Sequence, residues 1–167
     1  MAQRETRLLW EYLKETYPGE TWATNVELGP LPAEEVVMRG VRAVAARLRP
    51  FRRRVDATHW TPESYELIEC KIRDPMLGIG ALQVYAVLAK DTVDLIGYAG
   101  QPIRKVLVVP FTLDWVRAAG AELGVEVVEF WRPWIADYFR EIQNYFTREY
   151  RTARDEKKLR RRLLGVE

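Results

Sequence analysis

The feature that most limits the fold of this chain is a strand-like segment followed at once by a helix and a second strand. Residues 104–110 carry the run Val106-Leu107-Val108-Val109, which reads as a strand buried on both faces. Residues 113–123 show helical spacing, Gly124 supplies a stop, and residues 125–131 return to a strand pattern. Strands joined by a single helix pair in parallel through a right-handed crossover. The chain is therefore expected to be α/β, with parallel pairing in its C-terminal half.

The remaining segments complete that expectation. Residues 4–16 place Leu8, Leu9, Tyr12 and Leu13 on one helical side, and Pro18-Gly19 ends the segment. Residues 21–28 read as a strand. Prolines 30 and 32 precede a predicted helix over 33–48, and Pro50 closes it. Two strands, 52–60 and 65–72, flank the turn Thr61-Pro62-Glu63-Ser64 as an antiparallel hairpin. A helix over 78–90 and a loop over 97–102 follow. The expected architecture is a mixed central β-sheet flanked by helices. Pro133 opens a last helix with a stripe of Ile135, Tyr138, Phe139, Ile142, Tyr145, Phe146 and Tyr150. Run to Leu163, it would be a long C-terminal helix of ~45 Å at about 1.5 Å per residue. This divides the chain into an α/β domain over 1–133 and an amphipathic helix with a basic end over 134–167.

Composition narrows the function classes. With 167 residues, 48% hydrophobic and 30% charged, the chain can bury a core without staples. Cys70 is its one cysteine and His59 its one histidine, which excludes an internal disulfide framework and argues against a cysteine-based zinc site. Neither a Walker-type loop nor a Gly-x-Gly-x-x-Gly run is present, so ATP and dinucleotide binding find no support. The N-terminus has charge but no apolar h-region, and no apolar run is long enough to span a bilayer, so a cytoplasmic setting and no membrane partner are expected. The net charge of +2 hides an asymmetry: residues 148–162 hold eight basic against three acidic side chains. A second basic knot is Arg52-Arg53-Arg54. Such clusters either neutralise phosphates or form solvated faces.

The hairpin carries the chemistry. A symmetric turn at Pro62-Glu63 sets Trp60 against Tyr65, Thr58 against Leu67, and Asp56 against Glu69. Strand alternation puts Asp56, Glu69 and Lys71 on one side, with Asp56 and Glu69 Cβ atoms ~5 Å apart. Opposed carboxylates repel, and burial worsens the repulsion. A hard divalent cation relieves it, and Mg²⁺ commonly takes one or two carboxylates plus waters and phosphate oxygens. The adjacent lysine suits an anionic substrate. The chemistry implied is metal-assisted hydrolysis of a phosphodiester. The plain alternative is a polar sheet edge, with Asp56 paired to Arg54 and Glu69 to Lys71 in solvent. His59 alternates away from Asp56 and is expected at a surface or edge, and Cys70 is expected as a small core residue.

Val55-Asp56 followed by Glu69-Cys70-Lys71, with this order of elements over residues 50–131, resembles the PD-(D/E)XK nuclease superfamily. The resemblance implies a restriction-endonuclease-like core and a nuclease acting on DNA with Mg²⁺ or Mn²⁺. It implies Asp56 and Glu69 as metal ligands, the main-chain carbonyl of Cys70 as a further ligand, and Lys71 as the catalytic lysine. Val55 stands where the nominal proline would be. Many RecB-like members carry Gln-x-x-x-Tyr on the following helix. Here Tyr85 is available, but Ala81 holds the glutamine position. Either Gln83 joins the catalytic set from a different geometry, or that contact is absent and Tyr85 is a core aromatic. Some members add an acid from an N-terminal helix. Glu5 and Glu11 are the candidates, and Glu5 reads first as a first-turn charge answering the helix dipole.

A second hypothesis makes the domain a non-catalytic binding or assembly module, in a viral or nucleoprotein particle. The last helix would then mediate contact with partners or homo-oligomerisation. A repressor ranks last, because no helix-turn-helix is recognisable.

Overall fold

A computed structural model of the chain describes residues 3–92, 95, 100–145, 152, 155, 156, 160 and 161. The chain divides into two units, Met1–Phe130 and Trp131–Glu167. The first holds α1 (Gln3–Thr16), β1 (Trp22–Leu28), α2 (Ala33–Arg39), α3 (Val41–Leu48), β2 (Arg53–Trp60), β3 (Tyr65–Cys70), α4 (Pro75–Ala89), β4 (Ile103–Val109), α5 (Asp114–Glu122) and β5 (Val125–Glu129). The second begins with α6 (Pro133–Tyr145), opened by the predicted proline. The predicted extension of that helix to 163, with its basic end, falls largely outside the described residues.

The sheet is five-stranded in the order β1-β2-β3-β4-β5. β1, β2 and β3 pair antiparallel, whereas β3, β4 and β5 pair parallel, so the sheet is mixed. Strand alternation separates its faces. One face sends Leu67, Lys105 and Val127 toward α4 and α5. The other sends Glu66, Arg104 and Glu126 toward α1. The core joins Leu67, Leu107 and Val109 of the sheet to Ile79 and Leu82 of α4 and Val116 of α5. α4 approaches β4 closely at Gly78. A Cβ there would collide with the Leu107 side chain and lie 3.1 Å from Lys71 Cγ. The missing side chain thus lets the helix seat against the stem of Lys71.

The predicted single helix over 33–48 is two helices, broken at Gly40. That residue adopts φ 79° and ψ 152°, a conformation glycine tolerates and a helix interior cannot contain. β3 ends at Cys70 rather than residue 72. α4 starts at Pro75, not residue 78, since proline suits the first turn of a helix. The hairpin register is the predicted one over Ala57↔Ile68, Thr58↔Leu67, His59↔Glu66 and Trp60↔Tyr65. Its turn is tied by the Thr61 hydroxyl, which accepts from the N–H groups of Glu63 and Ser64 at 3.2 and 3.1 Å.

Candidate active site

The end of β3 is built from a local conflict between pairing and side chains. β3 is buried along its whole length, so each of its polar groups needs a partner within the protein. Beyond the Ala57↔Ile68 pair, the Cys70 N–H donates to the Asp56 carboxylate at Oδ2, 3.0 Å away. Asp56 therefore points along the sheet toward the end of β3 and meets Glu69 there. Lys71 Nζ donates to Glu69 Oε1 at 2.5 Å and to the Cys70 carbonyl at 3.3 Å, and lies 3.9 Å from Asp56 Oδ2. One ammonium thus serves two carboxylates that are nearly sealed from solvent, Asp56 at 8% and Glu69 at 3% exposure. Glu69 Oε2 is buried and accepts no hydrogen bond.

The electrostatics follow from this packing. Burial pushes the Glu69 carboxyl up, the Asp56 charge pushes it further, and Lys71 offsets only part, leaving it at about 7. Burial also raises Asp56, against the Cys70 N–H and Lys71. For Lys71 burial opposes the charged form, but Glu69, Asp56 and Glu5 together outweigh it, so the net shift is upward. The Cys70 thiol is buried and raised, which makes it an inert core group, as its position on the strand predicts.

The side chains of Asp56, Glu69 and Lys71 are thus brought together, with the Cys70 carbonyl against the Lys71 ammonium. Glu5 belongs with them. Its Oε1 accepts from the Ile72 N–H at 3.3 Å, and its charge acts on both Asp56 and Lys71. Glu5 stands in the first turn of α1, as read, and the inward side it shares with Leu8, Leu9 and Tyr12 also turns it to the Ile72 N–H. Glu11 instead pairs with Arg7 at 2.8 Å on the surface. Tyr85 is half-buried against the core, and burial, then Glu69 and Asp56, raises its hydroxyl. It is both the core aromatic and a neighbour of the carboxylates.

Gln83 is not brought to the site. Its Nε2 donates to the Leu123 carbonyl at 3.0 Å and its Oε1 accepts from Lys105 Nζ at 2.8 Å. The reason is angular: two residues before Tyr85 on a helix, it points to another side, toward the C-terminal end of α5. It lines a cavity of ≈ 590 Å³ with Tyr65, Ile103 and Lys105, beside the N-terminal ends of β3 and β4. The basic knot is also redirected. Arg52 is buried against Glu27 and the Gly29 carbonyl, and Arg54 pairs with Glu27 rather than Asp56.

His59 is not at a surface. It is 2% exposed, with Nδ1 3.0 Å from Glu66 Oε2 and Nε2 2.7 Å from Glu20 Oε2. Its ring stacks on Tyr17 at 4.0 Å. The sequence signal for this burial was present in the facing pair His59 and Glu66, but the ring is covered by Tyr17 and Glu20 of the segment after α1, whose placement no local pattern states.

Among the described residues, no group of three or more His, Cys, Asp or Glu side chains is placed to hold a metal ion. Two carboxylates and a carbonyl are oxygen donors of the kind Mg²⁺ takes in its sparse protein ligation, and Glu69 Oε2 is buried without a hydrogen bond. Among the described residues no helix is long and apolar enough to cross a membrane. No protein-family model matches the chain, and no curated protein matches it. It is similar to a crystal structure of a protein of unknown function, AF1548, at 13% identity and a TM-score of 0.40. The match covers 73% of this chain and 52% of that one, so this chain spans about half that protein's length.

Proposed function

We propose that the chain is a metal-dependent nuclease of the PD-(D/E)XK type, with a restriction-endonuclease-like core, hydrolysing phosphodiester bonds of DNA. The observation that carries the reading is the pair itself: Asp56 and Glu69, 8% and 3% exposed, share the one ammonium of Lys71. Two buried carboxylates against one ammonium leave an excess of negative charge, which a bound cation would relieve.

Asp56, Glu69 and the Cys70 carbonyl would hold Mg²⁺ or Mn²⁺, which when bound polarises a phosphoryl oxygen and makes hydroxide available near neutral pH. The chain's own residues supply orientation and charge. The Cys70 N–H fixes the Asp56 carboxylate against the strand end. The Lys71 ammonium, held between two carboxylates, stays protonated and offers donors to an attacking water or a non-bridging phosphate oxygen. Gly78 keeps α4 close enough to brace the Lys71 stem. Glu5 ties the start of α1 to the backbone at Ile72, fixing the far wall.

The test is a DNA cleavage assay on the full chain. Cleavage should vanish with EDTA and in Asp56→Ala, Glu69→Ala and Lys71→Ala, the lysine change costing on the order of 10²–10³-fold. Metal-dependent cleavage that survives all three substitutions overturns the assignment. The placement of Gln83 away from the carboxylates favours the second reading, a non-catalytic assembly module. Under it, the chain cuts nothing and runs as a ring or higher assembly in light scattering.

A further inference from the structure

The three arginines at the start of β2 are not used alike. Glu27, on the neighbouring strand β1, takes Arg49 at 3.0 Å, Arg52 at 3.2 Å and Arg54 at 3.3 Å. Three guanidiniums on one carboxylate leave this corner of the sheet with an excess of positive charge. Arg53 is a fourth. It is exposed, and among the described residues no carboxylate pairs with it. Like charges gathered this closely repel, and an arriving anion relieves the repulsion.

The strand sets the direction of Arg53. It pairs with Leu28, and Val55 pairs with Val26, so Arg53 and Val55 share one side of β2. Val55 and Leu28 are core residues, and Tyr85 of α4 packs against the same core. Burial, Glu69 and Asp56 push the Tyr85 hydroxyl up, and Lys71 and Arg53 pull it down. Tyr85 is thus a common neighbour of the paired carboxylates and of Arg53. A ligand that meets both must carry negative charge at more than one point along its length. A nucleic-acid backbone does so, and a guanidinium grips phosphate with two parallel donors. We propose that Arg53 binds a backbone phosphate of DNA flanking the one handled at Asp56 and Glu69, so that the strand passes Tyr85. The inference rests on the nuclease reading and adds a substrate-binding residue to it.

Binding tests it without turnover. In EDTA, fluorescence anisotropy of a labelled DNA duplex with the full chain should show a Kd that rises with NaCl. Arg53→Gln should weaken binding roughly tenfold at low salt and make the slope of log affinity against log salt shallower by about 0.9. Arg53→Lys, which keeps the charge, should keep the slope. Arg117→Gln removes the same charge beside the opposite edge strand, where Arg117 pairs with Glu129, and should change neither quantity. Absence of binding, an unchanged slope in Arg53→Gln, a slope lost equally in Arg53→Lys, or an equal change in Arg117→Gln overturns the inference. With Mg²⁺ present, Arg53→Gln should raise KM about tenfold and leave kcat within about twofold. The two readings separate cleanly. Arg53-dependent DNA binding by a chain that cuts nothing keeps the phosphate contact and sinks the nuclease. Cleavage that needs Asp56 but keeps its KM in Arg53→Gln sinks the phosphate contact alone.

Discussion

Glu66 and Glu69 lie three residues apart on β3, are equally buried, and live in opposite circumstances. Glu66 faces α1. Its Oε2 accepts from the Tyr17 hydroxyl at 2.7 Å and meets the His59 ring, and its Oε1 is taken by Arg104, which also binds Glu126 at 2.7 Å. Every oxygen there is satisfied. Glu69 faces α4, shares a single lysine with Asp56, and has an oxygen with no hydrogen bond. The contrast teaches how to separate structural from reactive charge in one sheet. A saturated network holds a helix in place, and a deficient one stores an interaction for something that arrives later.

The largest expected effect is therefore an exchange of phenotypes. Glu69→Ala should abolish cleavage while the chain stays folded, and Glu66→Ala should cost ~1–3 kcal/mol, because the buried His59 ring and the Tyr17 hydroxyl lose their carboxylate partner while the exposed Arg104 returns to water. Urea unfolding alongside the cleavage assay reads both, and a Glu66→Ala chain of unchanged stability would break the comparison.

The pH response sharpens it. Glu69 titrates at about 7 in the fold against an ordinary value of 4.5. Between those values the folded chain binds more protons than the unfolded one, so with chelator present stability should fall as pH rises from about 4.5 to about 7. Glu69→Gln should flatten that slope and stabilise the metal-free chain above neutrality, by on the order of 3 kcal/mol at most. Denaturation midpoints against pH check it; a slope unchanged by Glu69→Gln would place the burden elsewhere.

Smaller effects follow from the supports. Gly78→Ala should cost ~1–3 kcal/mol by forcing Leu107 and the Lys71 stem aside, and should lower cleavage through Lys71 rather than through binding. Gln83→Ala should cost about 1 kcal/mol by freeing Lys105 and the Leu123 carbonyl, and leave cleavage unchanged. Thermal melts and cleavage rates distinguish the two.

The fold was legible where patterns are local. The hairpin register, the parallel β4–β5 pair and the α/β class follow from turn residues, alternation and the short Val-Leu run. The convergence of Asp56, Glu69 and Lys71 follows from that register. What the sequence hid was decided by contacts between distant segments. Glu5 reaches Ile72 because α1 packs across the strand end, and His59 is buried because Tyr17 and Glu20, which follow α1, close over it. For Gln83 the sequence left two alternatives, and the structure shows the contact absent, because its offset from position 81 on the helix turns it to Lys105 and the Leu123 carbonyl. The break at Gly40 was readable from the glycine itself, whose cost inside a helix is about 1 kcal/mol.

Mn²⁺ tests the paired carboxylates of Asp56 and Glu69 most directly. In crystals of the full chain soaked with Mn²⁺, anomalous density should appear between Asp56 and Glu69 within bonding distance of both carboxylates, and none beside Glu66. Density absent from that position, with Lys71 still bridging the two acids, would contradict the central claim.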